Sequence, residues 1–379
     1  MSLVSKYFHR VALEYLYSSF LICSCGDYAR VSCLVQRPGV APCVKRLTVD
    51  RCVDSPTGTE ITFQEFLHCP NLHIYVDFEP RENAWLAWTA PPIMGPTLTV
   101  LEINNVTRYS PTNRLEQMVC SLGTCTSLRI LRIIRVSAVP FHRPPLPCIL
   151  PRLELLEIQY KRLITIGNND QLVSEWLPSI TLPRLHTLLI GVGKPPIPAL
   201  LPFSSSLTTL ALGGTPKLYG SSAPLPMPQL RRFLAYHHPR KSQWGTLPDA
   251  IAITGVEHIE IRLNEEMWQA FGQTLELPWD PKHCADFAAL LAILLDPVLT
   301  PSLIKVTFDV NPRTKAAAWA KFRSTVAAWQ REMHNRRPSV WVQSVFYDTK
   351  DDAWRCVAVT DLVSDQVSSS HQPLLCRGK

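Results

Sequence analysis

A short apolar phrase returns along the chain and constrains its fold more than any other feature. The phrase reads apolar-x-x-apolar-x-apolar, and in Leu98–Ile103, Leu128–Ile133 and Leu153–Ile158 its apolar positions are leucine, leucine and isoleucine. Successive starts between Leu98 and Val256 lie 22 to 32 residues apart. The phrase begins at Val44, Leu98, Leu128, Leu153, Leu185, Leu207, Leu230, Val256 and Leu303. A repeat of this regularity indicates a stacked architecture rather than a set of unrelated domains.

The physics of a strand explains why this phrase must repeat. Alternate side chains of a strand point to opposite faces, so the last two apolar positions face one way and their neighbours the other. One short strand cannot bury its apolar face alone, whereas a stack of them buries a continuous core. Because the period is close to the roughly 20–29 residues of leucine-rich repeats, we predict an α/β fold, an irregular leucine-rich-repeat solenoid. Short parallel strands are expected on its concave face, with helices and loops on the convex face.

The chain of 379 residues, 46% of them hydrophobic, can bury a large core. The 33 prolines favour a chain that turns often, and many of them stand just before a predicted strand. We predict an N-terminal helical segment over 1–40, the solenoid over 41–310, a C-terminal capping helix with strands over 311–362, and a disordered tail over 363–379.

Composition and motifs argue against catalysis. The twelve cysteines lack the paired spacing of a zinc site, so we expect free thiols in a cytoplasmic or nuclear protein. No signal peptide and no transmembrane segment is predicted. A phosphate-binding loop, a nucleophile elbow and a zinc-protease helix are likewise not found. We therefore predict no enzyme, no catalytic residue, no cofactor and no metal.

The first residues carry a second clue. Val4-Ser-Lys-Tyr-Phe8-His-Arg-Val11-Ala-Leu-Glu-Tyr-Leu16-Tyr17 predicts a helix with Val4, Phe8 and Val11 on one face. Taken alone, this helix is an amphipathic cap for the first strand. Its letters also resemble the last part of an F-box, which ends in Leu-Tyr. With the repeats that follow, the chain resembles the F-box/leucine-rich-repeat proteins of fungi, with the N-terminal part of the F-box missing.

The resemblance implies a function. In that family the F-box docks on the adaptor subunit of a cullin-RING ubiquitin ligase, and the repeats hold the protein substrate. The resemblance then assigns adaptor binding to four residues: Val4, Phe8, Val11 and Leu16. Because the sequence starts within the last F-box helix, two interpretations stay open, a truncated gene model and a loss of adaptor binding. In the second case the chain is a stand-alone leucine-rich-repeat binding protein.

The outward strand positions are the predicted surface for the substrate, which is an unknown protein. Glu102, Arg132 and Glu157 are expected to form a lateral ladder of alternating charge, whose alternative reading is mutual surface pairing. In the later strands, the residues expected to point outward include Tyr236, His258, Glu260 and Arg262. We predict partner binding by Arg132, Glu157, Leu189, Leu234 and Tyr236.

A basic helix is predicted after Asn311-Pro312. Apolar residues from Trp319 to Met333 recur at spacings of three and four, and Pro338 ends the run. Its other face holds Arg313, Lys315, Lys321, Arg323, Arg331, Arg336 and Arg337. Capping of the repeats is the favoured interpretation, with nucleic acid or an anionic membrane as the less favoured one. Strands near 340–346 and 354–359 are expected to form a closing hairpin.

Overall fold

A computed structural model describes residues 3–49, 66, 69–78, 95–104, 119, 122–136, 147–160, 172–191, 195–216, 223–237, 244–263, 285–310, 331–348 and 353–358. These residues belong to two compact units. The first comprises Met1–Gly191 with Pro198–Phe203, and the second comprises Val192–Ile197 with Ser204–Lys379.

The described part of the chain consists of short strands separated by short helices. The strands are β1 (Ser19–Ile22), β2 (Arg46–Val49), β3 (Ile74–Asp77), β4 (Val100–Asn104), β5 (Ile130–Val136), β6 (Cys148–Ile149), β7 (Leu155–Tyr160), β8 (Ile180–Thr181), β9 (Thr187–Ile190), β10 (Thr209–Leu212), β11 (Arg232–His237), β12 (His258–Leu263), β13 (Lys305–Val310), β14 (Trp341–Asp348) and β15 (Ala353–Ala358). The α-helices are α1 (Leu3–Tyr17), α2 (Cys25–Val35), α3 (Leu177–Ser179), α4 (Ile197–Leu200), α5 (Leu247–Ala250) and α6 (Ala285–Leu295). Single 3-10 turns occupy Ala41–Cys43, Leu122–Thr124, Leu201–Phe203 and Trp244–Thr246, and a π-helical turn occupies Leu172–Trp176.

Both units are built on parallel strands that follow one another in sequence. In the first unit the strand order is β1-β2-β3-β4-β5-β7-β9, and β6 pairs with β8 in a separate parallel ribbon. In the second unit the order is β10-β11-β12-β13-β14-β15, where only the β14–β15 pair is antiparallel. Sequential parallel strands with intervening helices are the architecture of stacked repeats. The predicted fold class, an α/β leucine-rich-repeat-like solenoid, is confirmed.

The repeated phrase determines where the strands lie. Each of its nine copies is followed by a strand that begins two residues after the predicted start, as in Leu98 and β4. The three apolar positions of each phrase are buried; Leu98, Leu101 and Ile103, for example, have no exposed surface. The predicted alternation of inward and outward side chains is therefore correct in register.

A turn of the same form precedes most of the strands that the phrase predicts. The backbone N–H of the first phrase residue donates to a carbonyl three residues earlier, as in Leu128 to Cys125 at 3.1 Å and Leu230 to Met227 at 3.1 Å. The same bond joins the pairs Cys69 and Leu72, Leu150 and Leu153, Leu182 and Leu185, Ile253 and Val256, Thr300 and Leu303, and Arg337 and Val340. Proline often takes the second position, where its fixed φ suits a turn. The prolines expected to open strands thus lie in the turn just before them.

The N-terminal segment contains more structure than the sequence pattern predicted. Helices α1 and α2 lie within the helical segment predicted over 1–40, and the strand β1 between them was not predicted. Ser24 caps α2: its Oγ accepts from Asp27 N at 3.2 Å and donates to the Asp27 carboxylate at 2.8 Å. This reciprocal arrangement satisfies a free N–H of the first turn and so fixes where the helix begins.

The C-terminal prediction is confirmed in part. Residues 331–336 are helical, Met333 is buried, and β14 pairs with β15 as the closing hairpin. The earlier part of the predicted helix and the predicted tail over 363–379 lie outside the described residues. Arg337, which was predicted on the basic face of this helix, instead lies after the helix and is only 7% exposed. It occupies the first position of the last repeat turn, which is filled by cysteine, leucine, methionine or isoleucine in most other repeats.

Candidate functional site

The predicted charge ladder exists in the first unit. The strand register places Glu102 beside Arg132 and Arg132 beside Glu157. Arg132 Nη1 lies 3.2 Å from Glu102 Oε2, and Arg132 Nε lies 3.2 Å from Glu157 Oε2. The Nε contact is ionic only, because that nitrogen has no hydrogen-bond partner. Since both carboxylates already share one guanidinium, the ladder is largely self-paired, as the alternative interpretation stated.

The five predicted partner-binding residues differ in how accessible they are. Arg132 and Leu189 are half-buried, and Leu189 lies beside the buried Glu157 in the β7–β9 register. The structure thus brings Arg132, Glu157 and Leu189 together on β5, β7 and β9. In the second unit Leu234 points outward in register but is only 3% exposed, so it offers little apolar surface to a partner. Strand alternation determines the direction in which a side chain points but not how deeply it is buried.

Tyr236 belongs to a charged network that the sequence analysis did not assemble. Its hydroxyl accepts from Arg262 Nη1 at 3.3 Å, and the Arg262 guanidinium carbon lies 5.5 Å from its ring centroid. Arg262 Nε also contacts Glu260 Oε1 at 2.6 Å and Asp309 Oδ2 at 3.3 Å. Arg232 pairs with the other oxygen of Glu260. We call Arg232, Tyr236, Glu260, Arg262 and Asp309 the β11–β13 network. In the sequence, only the alternation of outward positions indicated this network.

Burial and charge act in opposition on the ionisation of this network. Burial tends to raise the pKa of Glu260, but Arg262 and Arg232 outweigh it and hold that pKa below its ordinary value. Burial also tends to lower the pKa of Arg262, which its anionic neighbours and Tyr236 nevertheless raise. Asp309 has a raised pKa because burial exceeds the attraction of Arg262. The network is thus a preorganised polar surface with its charges held in place by one another.

A second set of outward side chains lies at the beginning of the same strands. The register aligns Arg232 with His258, His258 with Lys305, and Lys305 with Trp341. We call these four residues the basic row. Lys305 Nζ lies 4.7 Å from the Trp341 ring centroid, and His258 Nε2 lies 2.9 Å from Thr307 Oγ1. Trp341 is 55% exposed, which is high for so large an apolar side chain.

Helix α1 presents most of its apolar side chains to solvent. Phe8 is 65% exposed, Leu16 is 63% exposed, and Val11 is also exposed. The half-buried residues of the helix are Leu13 and Tyr17, on the side opposite to Val11 and Phe8. The Tyr17 ring lies 6.1 Å from the ring of the buried Phe20. Of the four predicted adaptor-binding residues, Phe8, Val11 and Leu16 are therefore accessible, and the side chain of Val4 lies outside the described residues.

Chemistry of other kinds finds little support in the described part of the chain. It contains no group of three His, Cys, Asp or Glu side chains that could hold a metal ion. Burial raises the pKa of the Cys69 and Cys125 thiols to about 12, so neither is a nucleophile near neutral pH. Among the helices described, none is long and apolar enough to cross a membrane.

No protein-family model matches the chain. No curated protein is significantly similar to it.

Proposed function

We propose that this chain is a protein-interaction module, a substrate-recognition subunit of a cullin-RING ubiquitin ligase that binds its target on the repeat surface. In this proposal it has no catalytic activity of its own. It acts in the cytoplasm or nucleus, where free thiols such as those of Cys23 and Cys33 persist.

The orientation of α1 carries the proposal. An N-terminal helix that only capped the repeats would turn its apolar face toward them. Here Leu13 and Tyr17 attach the helix, while Phe8, Val11 and Leu16 face solvent. Exposed large apolar side chains grouped on one helix mark a surface for a partner protein. The resemblance of these residues to an F-box tail supports the ligase adaptor as that partner.

The repeat surface supports the second half of the proposal. Parallel repeats display one outward side chain from each strand in lateral rows, so a partner meets a broad surface of independently chosen residues. The outward positions here carry charged and aromatic groups, among them Arg132, Arg262, Tyr236 and Trp341. Arginine and aromatic residues are enriched among the residues that dominate protein–protein affinity.

The test is co-purification of the ligase adaptor with the 379-residue chain and with two variants. Replacing Phe8 and Val11 by Asp should abolish co-purification, because two carboxylates would enter an apolar contact. Lys6→Asp is the matched control: it also adds a carboxylate to an exposed position of α1, but on the side of Leu13. It should leave co-purification unchanged.

A second candidate function is a stand-alone leucine-rich-repeat binding protein without a ligase role. The observation that favours it is the β11–β13 network, which is complete without any contribution from α1. This function is the better account if the adaptor is not retained by the wild-type chain. In that case a partner captured through the repeat surface should be insensitive to the Phe8 and Val11 substitutions.

A further inference from the structure

The basic row carries positive charge that the carboxylates of the described residues balance only in part. In the β11–β13 network the Arg232 and Arg262 cations are matched by the Glu260 and Asp309 carboxylates. Lys305 is different: no carboxylate in the described part of the chain forms an ion pair with it. Its ammonium contacts the face of Trp341 instead. Within the described residues, one lysine charge therefore lies beside an exposed aromatic ring without an ion-pair partner.

His258 gives the basic row a second, conditional charge. Burial, followed by the Arg232 and Lys305 cations on either side, lowers its pKa to about 4, whereas Glu260 on its own strand acts in the opposite direction. The imidazole is thus neutral at pH 7 in the free protein. An anion held between Arg232 and Lys305 would remove part of the repulsion and favour the imidazolium.

Adjacent carboxylates decide which anionic partner fits. A nucleic acid gains affinity from a continuous run of Lys/Arg contacts to its phosphates. Beside the basic row, however, the next outward position on β12 holds Glu260, and Asp309 lies two outward positions beyond Lys305 on β13. These carboxylates would repel a continuous phosphate chain. A peptide can place one carboxylate on Lys305, a second on the exposed side of Arg232, whose guanidinium already pairs with Glu260, and an apolar side chain on Trp341.

We propose that the basic row, Arg232, His258, Lys305 and Trp341, binds an acidic segment of a protein partner. Carboxylate side chains of the partner pair with Lys305 and Arg232, and an apolar neighbour in the segment packs on the Trp341 ring. This inference deepens the proposed protein-binding role and rests on it, because it names the chemistry of the partner that the second unit recognises.

The experiment measures fluorescence anisotropy of a labelled short peptide, in which separated glutamates flank a leucine, against the full chain. Wild-type protein should bind more tightly at low than at high ionic strength, because salt screens the exposed charges. Lys305→Glu should weaken binding by about tenfold or more, since it places like charges together. Lys305→Gln should have a smaller effect. Lys45→Glu, an equal charge reversal at an exposed position of the first unit, should bind as the wild type does.

Two further measurements distinguish this proposal from others. In proton NMR the His258 pKa should rise from about 4 when the peptide is bound. A thymidine oligonucleotide of equal length should bind more weakly than the peptide. Equal peptide affinity of wild type and both Lys305 variants would overturn the proposal, as would tighter binding of the oligonucleotide or no peptide binding at all. Lys305→Glu should still co-purify with the adaptor through α1, so failure here is separable from failure of the ligase role.

Discussion

Arg337 provides the sharpest test of how the last repeats are held together. Its Nη1 donates to Leu294 O at 2.9 Å and to Thr300 Oγ1 at 2.6 Å, and its Nη2 donates to Thr300 O at 2.8 Å. The Leu294 carbonyl belongs to the last turn of α6, whose final carbonyls lack helical partners. The side chain thus ties the end of α6, the turn before β13 and the turn before β14 to one another. Burial lowers the pKa of Arg337, against the pull of Asp296, but the group remains charged.

Replacing Arg337 by Leu removes all three hydrogen bonds. At about 1.5 kcal/mol each for a charged donor, their loss amounts to about 4–5 kcal/mol. A buried leucine recovers about 1–2 kcal/mol, because it restores the apolar residue found at this turn position elsewhere and no charge need be desolvated. We expect a net loss of about 3 kcal/mol in the free energy of unfolding. Arg337→Lys should lose about 1–2 kcal/mol, since an ammonium lacks the planar fork.

Urea denaturation followed by circular dichroism measures this loss, and hydrogen exchange localises it to peptides covering residues 290–305. The matched control is Arg336→Leu, whose guanidinium is exposed and pairs with Glu332 at 2.6 Å on the surface. It should change stability by no more than about 0.5 kcal/mol. A variant Arg337→Leu as stable as the wild type would refute the reasoning, because it would show that these carbonyls do not depend on the guanidinium.

Two other predictions concern the outward face. Arg132→Ala should lower the free energy of unfolding by about 1–2 kcal/mol, because the buried Glu157 loses its counter-charge. Urea titration measures this loss. It should show a smaller loss for Arg129→Ala, whose ion pair with Glu154 is exposed. Because the folded-state pKa of His258 is about 4 and its ordinary value is 6.5, the unfolded chain binds the proton more readily between these values. Stability should therefore fall as pH drops from 6.5 toward 4. His258→Gln should remove that part of the pH dependence, and an unchanged slope in denaturation at several pH values would count against the assigned environment.

The sequence determined the strands and the inward side chains. The interval between phrases identified the repeats, and strand alternation then assigned Leu101 and Ile103 to the core and Glu102 to the outward side. Leu101 and Ile103 are buried, and Glu102 is half-buried. This assignment succeeded because burial in a stacked repeat depends on local periodicity, and each repeat buries the same positions of its strand. The strand β1 lies outside that pattern and was not predicted, whereas α2 lies within the helical segment predicted over 1–40, which was given no internal bounds.

The tertiary structure decided how deeply the polar residues lie and, apart from the ladder of Glu102, Arg132 and Glu157, which of them meet. The sequence placed Arg337 with the other cations on one face of a helix. In the structure Arg337 lies in the turn before β14 and donates to a carbonyl of α6 and to a carbonyl of the turn before β13. Leu234 and Arg232 are both outward, but only one of them is exposed. Lateral contacts such as Arg262 with Asp309 join residues 47 positions apart in the chain. Periodicity fixes the direction of a side chain from its nearest neighbours in sequence, whereas its burial, its ionisation and its partners depend on the residues that folding brings beside it.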